Sequence, residues 1–313
     1  MRPRWCVTAI GPLLCLLLVA APPGALAVGE ELVDALMSSD FVFDVDRGNA
    51  PMLPLAGLVV TDFGSARFAG ECVSAAACRF ETAQVAANAA APVWVGERDL
   101  LVLGGAVTAN TLEQAGRSRT VYSGSLLGAW VRQAGPRWQL AAFALPQLHV
   151  GGGTGDAETG QFIGGGVARR RHGPRLHSYY GLVWLGGEPE ALLLPYVGLD
   201  WYLSPSWTLS LLAPWPSVSW APSGDWFLRF GAAPAGASWR FADQSRERTA
   251  DLARWKLGVS YERRLHRSLW GGVGAGATSL GRVRISDEDG VALDADFEND
   301  PYVELFLRFR PGP

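Results

Sequence analysis

Hydrophobic and polar residues alternate along much of this chain. In "RWKLGVSYER", Trp255, Leu257, Val259 and Tyr261 fall on one face, and Arg254, Lys256, Gly258, Ser260 and Glu262 fall on the other. "PYVELFLRF" repeats the pattern, with Val303, Leu305, Leu307 and Phe309 opposing Tyr302, Glu304 and Arg308. Val197-Leu199-Trp201-Leu203 and Trp207-Leu209-Leu211 do the same. A period of two residues sustained this far is a β-strand with one apolar and one polar face. Many of the runs are longer than strands of ordinary globular sheets and suit a tilted crossing of a bilayer.

The pattern predicts strands at 57–69, 80–95, 98–109, 119–133, 136–149, 159–171, 175–186, 192–203, 206–212, 216–221, 225–242, 253–264, 268–279 and 301–310. Short turns (Gly96-Glu97, "AGPR", "HGP", "SPS", "APSGD" and "LHR") alternate with the connections 110–118, 150–158, 187–191, 213–215, 243–252 and 280–300. An even strand count, with short turns at one end and longer loops at the other, predicts an all-β fold: an antiparallel transmembrane β-barrel of about fourteen strands over 55–310. Both chain ends then fall on the short-turn, periplasmic side. The segment 225–242 is counted as one strand through "GAAPAGA", where Pro234 is expected to mark a bulge. If that segment splits, twelve or sixteen strands are the alternatives.

Tryptophan placement fits this layout. Trp94, Trp130, Trp138, Trp201, Trp207, Trp220, Trp226 and Trp270 lie near proposed short turns, and Trp184, Trp215, Trp239 and Trp255 near the longer loops. Indole is apolar with a single N–H donor, so it settles where hydrocarbon meets headgroups. Two such rows predict the two aromatic girdles of a membrane barrel. Lysine or arginine facing lipid at the midplane costs about 2–4 kcal/mol. The charged face of "RWKLGVSYER" is therefore expected to point inward, with Glu262 offsetting Arg254, Lys256 or Arg264.

From about Leu55 to Phe309 the chain resembles Gram-negative outer-membrane β-barrel proteins. "LLPYVGLDWYLSPSWTLSLLAPWPSVSW" is similar to one barrel family of unknown function, and the last strand, ending at Phe309, resembles a C-terminal insertion signal, here followed by "RPGP". The resemblance implies fold, location in a Gram-negative outer membrane and handling by barrel assembly machinery. It implies no activity.

The first residues carry Arg2 and Arg4, an apolar run from Ile10 to Ala21 and the small-residue pattern Ala25-Leu26-Ala27. This predicts a secretory signal peptide, residues 1–27, cleaved after Ala27. A segment over 28–54 follows, as a periplasmic tail or a small plug. Removing Arg2 and Arg4 takes the basic count from 27 to 25 against 30 acids, changing net charge from −3 to −5. That balance argues against a nucleic-acid partner. Cys6 and Cys15 leave with the signal. The remaining Cys72 and Cys78, spaced C-x5-C in an exported chain, predict a disulfide closing a small loop, which contributes about 2 kcal/mol.

The residues able to do chemistry are few. The histidines are His149, His172, His177 and His266, and His177 precedes Ser178 so that on a strand the two point to opposite faces. No nucleophile, base and orienting group share a motif. The acidic stretch "SDEDGVALDADFENDP" places Asp287, Asp289, Asp294 and Asp296 on a proposed extracellular loop. These are weak metal candidates, since carboxylates suit calcium but the spacing departs from a twelve-residue calcium loop. A solvated loop bridged to lipopolysaccharide by divalent ions is the plainer reading. "GGGTGDAETG" lacks the Lys-Ser/Thr ending of a phosphate loop, and no cofactor is expected.

The expected function is a pore or passive translocation channel for small solutes. Its lumen would be lined by Arg254, Lys256, Glu262, Arg264, Glu304 and Arg308, and its surroundings would be membrane lipid and lipopolysaccharide. A closed structural or surface-interaction barrel is the alternative, and a lipid-modifying enzyme the third.

Overall fold

A computed structural model of the protein describes residues 48–67, 79–114, 116–151, 158–186, 191–243, 246–287 and 290–310. The expected signal peptide, residues 28–47, Cys72 and Cys78, and Asp289 lie outside them.

The described chain is all β. Its strands are β1 (Ala56–Arg67), β2 (Arg79–Val95), β3 (Asp99–Gln114), β4 (Arg117–Gly135), β5 (Trp138–Gly151), β6 (Glu158–Arg171), β7 (Leu176–Gly186), β8 (Leu192–Tyr202), β9 (Trp207–Leu212), β10 (Ser217–Ser223), β11 (Trp226–Asp243), β12 (Arg246–His266), β13 (Leu269–Asp287), β14 (Gly290–Phe297) and β15 (Pro301–Phe309). Each pairs antiparallel with its sequence neighbour from β1 to β14, and β15 pairs with both β13 and β1. Closure leaves no exposed sheet edge around the lower wall, so the backbone there is satisfied without water.

The fifteen strands make fourteen staves. Residues 269–277 of β13 pair with β15, and residues 281–287 pair with β14. The last two strands are thus the lower and upper parts of one stave, interrupted at 298–300. The expected loop at 280–300 is mostly this upper hairpin. Its acidic count hid an alternation in which Val283 and Phe297 face inward with Phe80 and Leu252. The expected connection at 243–252 is likewise mostly strand, the beginning of β12.

The segment read as one strand at 225–242 is continuous: β11 pairs with β12 from Trp226 to Asp243 without a register shift. Pro234 is tolerated there without a bulge in that ladder. Ala232 donates its N–H to Pro216 beside β10, and the backbone of Pro234, two residues on, faces the same side. β10 does not extend that far, so the missing N–H of Pro234 removes no ladder bond.

Outward positions are apolar and exposed, among them Leu103, Val107, Leu126, Leu182, Val259 and Leu305. A continuous apolar band of this extent suits lipid and not water. At the short-turn end Trp207, Trp220, Trp226 and Tyr261 form an aromatic row across β9 to β12, with centroids 6.2, 5.3 and 5.8 Å apart. Trp270 departs from the girdle expectation. It occupies an inward position opposite Arg308 and is buried against Phe227.

Candidate functional site

The interior is organised by a glycine groove. In "WGGVGAG" every second residue after Trp270 is glycine, so Gly272, Gly274 and Gly276 leave the inner face of β13 bare. Side chains from β15 lie across that face: a Cβ on Gly274 would stand 2.7 Å from Glu304 Cγ, and one on Gly272 would strike the Phe306 ring. β15 thereby reaches over β13 to β12. Lys256 Nζ donates to Glu304 at 2.8 Å, Arg310 donates to Glu262 at 2.8 Å, and Arg308 also donates to Glu262.

This corrects the expected pairing of Glu262 with Arg254, Lys256 or Arg264. Arg254 and Lys256 lie eight and six residues along β12 from Glu262, about 26 and 20 Å and out of direct reach, and Arg264 is turned to Gly224 and Asp225. The glycines admit partners from the second strand over instead.

Higher up, Arg254 sits where the β12–β13 register shifts, and such a bulge re-aims its side chain. Arg254 donates to Thr82 at 2.7 Å, lies 3.6 Å from Asp300 and covers the Phe63 ring at 3.4 Å. Asp300 comes from the break between β14 and β15 and accepts from Thr278. The cavity beside this group is about 20 Å³, room for about one water. Above it Phe80, Val121, Leu252, Val283 and Phe297 form an apolar cluster inside the barrel. Fully burying such side chains contributes roughly 1.5–3 kcal/mol each. β11 also meets β5 and β6 across the interior, and its Ala235 and Gly236 share the small cavity with Asn110 and Val121. Side chains therefore fill the upper axis.

The short-turn end is closed differently. Arg310 lies against Phe227 and Trp270, 5.4 and 5.8 Å from their centroids, and Arg229 lies 5.5 Å from Phe227. Residues 48–55 then run across the mouth. Leu55 joins the wall by donating to Phe309 and accepting from Ala90, while Asn49 donates its N–H to Pro205 at 2.7 Å and its Nδ2 to Ala221 and Pro222, both at 3.0 Å. In stave order the β8–β9 turn lies opposite β1, so this strap spans the opening. Met52 accepts from Arg310 midway. Gly48 is required twice over, by its φ of +55° and by the contact its Cβ would make with Pro205.

One part of the wall is incomplete. β9 and β10 are short, and β8 pairs with β9 only from Gly198 to Tyr202. Above Leu212 and Ser217, among the described residues, no strand bridges β8 and β11. The inner face of β7 and β8 beside this gap is apolar: Val183, Leu185, Leu192 and Leu194, the last two 51% and 40% exposed.

Of the remaining site candidates, Arg264 lies at the lower rim, donating to Gly224 at 2.8 Å and 3.6 Å from Asp225. Asp294 is held by Arg282 through contacts of 2.5 and 2.6 Å on the upper hairpin. That guanidinium holds the Asp294 carboxyl below the usual carboxylate range. Asp296 is exposed and opposes Arg282 in register. Asp287 ends β13.

Sequence spacing missed two Ser–His contacts, each at 2.7 Å: His149 Nδ1 with Ser123 on the neighbouring strand, and His172 Nε2 with Ser178. Acyl chemistry also needs free donors for an oxyanion, whereas strand amides at Ser123 and Ser178 belong to ladders. His177 faces inward, edge-on to Tyr202 at 6.4 Å. Asp200 opposes it and accepts from Tyr179 at 2.7 Å and Ser210 at 2.6 Å.

A closed, fourteen-stave antiparallel barrel with an apolar exterior and a charged, side-chain-filled interior is a β-barrel of the outer-membrane kind. No protein-family model and no curated protein matches the chain. Among solved structures it is similar to a Pseudomonas aeruginosa FadL homologue (11% identity, 82% of this chain and 90% of that one, TM-score 0.44). It is also similar to the TodX monoaromatic hydrocarbon channel (8%, 81% and 89%, TM-score 0.45) and to LpxR from Salmonella typhimurium (8%, 82% and 99%, TM-score 0.36).

Proposed function

We propose that this protein is a passive translocation channel of the Gram-negative outer membrane for small solutes. In the conformation described its axis is closed, and the wall gap between β8 and β11 is the route. The observation that carries this reading is the apolar inner face at Val183, Leu185, Leu192 and Leu194 beside that gap. A water-filled lumen is lined by polar side chains, whereas this surface favours apolar solutes by burying their area at about 25 cal/mol per Å². A solute that enters by the gap bypasses the charged lower interior.

The filled axis also supports the closed structural barrel. Uptake by proteoliposomes separates the two readings. Passage of a small hydrocarbon, reduced several-fold by Leu194→Asn while a sugar of similar size is excluded, is the result expected of the channel. Equal, background-level entry of both solutes is the result expected of a closed barrel and refutes the channel.

A further inference from the structure

Among the described residues, the charges around Glu262 do not balance. Arg308 and Arg310 both donate to Glu262, and Arg229 lies on the same inner face over Phe227, the residue that opposes Glu262 in register. Three guanidiniums against one carboxylate leave an excess of two positive charges (3 − 1 = 2). Other inward acids are engaged elsewhere: Glu304 by Lys256, Asp300 by Arg254, and Asp200 by Tyr179 and Ser210. A buried charge without a counterion is strongly unfavourable. Two observations show unused binding capacity. Arg310 is 2% exposed, and its Nε has no hydrogen-bond partner among the described residues. Arg229 makes a long contact to Ser219 at 3.4 Å and otherwise lies on the face of Phe227.

We propose that an oxyanion of the phosphate or carboxylate class seats among Arg229, Arg308 and Arg310, directly above the strap. Guanidinium forks match the planar edges of such groups through paired N–H donors. The aromatic faces of Phe227 and Trp270 keep water from screening them. This inference rests on the charge count and is independent of the transport route. The group has two possible sources. One is free phosphate, and the other is the chain itself, since residues 28–47 carry six acids (Glu30, Glu31, Asp34, Asp40, Asp44 and Asp46) against Arg47 alone.

The test is the temperature at which the folded, fast-migrating gel band of the mature chain is lost in detergent. It is measured against inorganic phosphate at constant ionic strength. A saturable rise that disappears in Arg229→Gln supports a seat for free anion. A flat wild type, with a rise in the full-length variant whose six acids are changed to amides, supports the same seat filled by the chain. No phosphate response in either chain overturns the proposal, and so does a response unchanged in Arg229→Gln. If Arg229→Gln does not fold, Arg229→Lys serves. The half-saturating phosphate concentration is then expected several-fold higher, and an unchanged value overturns the proposal.

Discussion

The two halves of the wall solve the same closure problem differently. From β12 through β13 and from β1 through β5, staves are long and paired on both sides over most of their length, and their inner faces meet in ion pairs and aromatic contacts. From β6 to β10 the staves shorten toward β9 and β10, and the upper inner face of β7 and β8 turns apolar, with Leu192 and Leu194 exposed. Interior filling is concentrated in the half where glycine lets side chains cross one strand to reach the next. Exposed apolar inner surface is concentrated in the half where that filling stops. A mutation should therefore cost stability in the first half and change passage in the second.

The largest effect is expected from Gly276→Val. Its Cβ would meet the backbone of Leu257 and Gly258 as well as the Tyr302 ring, 2.8 Å away. Overpacking of this kind typically costs about 1–3 kcal/mol and more where backbone must move, so loss of the fast-migrating gel band is predicted. Gly166→Ala, on a stave of the other half, meets only Ala141 at 3.7 Å and should leave the band intact. Equal behaviour of the two would remove the claim that the bare inner face of β13 is tightly filled.

Glu262→Ala comes next. It strands Arg308 and Arg310 without their carboxylate, and breaking a buried pair costs about 3–5 kcal/mol. Denaturant or thermal loss of the folded band measures this. Leu194→Asn sharpens the comparison from the other side: its side chain is already exposed, so stability should stay within about 0.5 kcal/mol while hydrocarbon uptake falls.

The smallest effect concerns the upper hairpin. Arg282 lowers the Asp294 carboxyl, so this pair stabilises the hairpin above the ordinary carboxylate range. Its contribution is lost as pH falls through the lowered folded value. Both side chains are solvated, and salt should screen the effect. Limited proteolysis of the hairpin between pH 6 and pH 2.5 should show a slight rise in cutting only at the acid end, and none in Asp294→Asn beyond its own baseline.

Much of the architecture was legible in alternation, because a barrel wall with lipid outside repeats every two residues. The fourteen staves, the unbroken 225–242 strand and the inward charges of β12 and β15 all follow from that period. The upper hairpin was not legible, since acidic side chains on its solvated face masked the inward Val283 and Phe297. Trp270 was misread because nearness to a turn does not specify which face a residue occupies. The partners of Glu262 could not be read along one strand. They depend on the bare face of "GGVGAG", a run of alternating glycines that signals a crossing place for side chains. The strap left no periodic trace at all; Asn49 is fixed by contacts more than 150 residues away in sequence, at Ala221 and Pro222.

The filled interior closes the axis of the barrel. Single-channel recording of the purified, heat-modifiable protein in planar bilayers tests it most directly, with Glu262→Gln measured alongside. No steady ionic steps are expected from folded wild-type protein. Reproducible ohmic steps, with an ion preference that shifts in Glu262→Gln, would show an open axial pore lined by this carboxylate and contradict it.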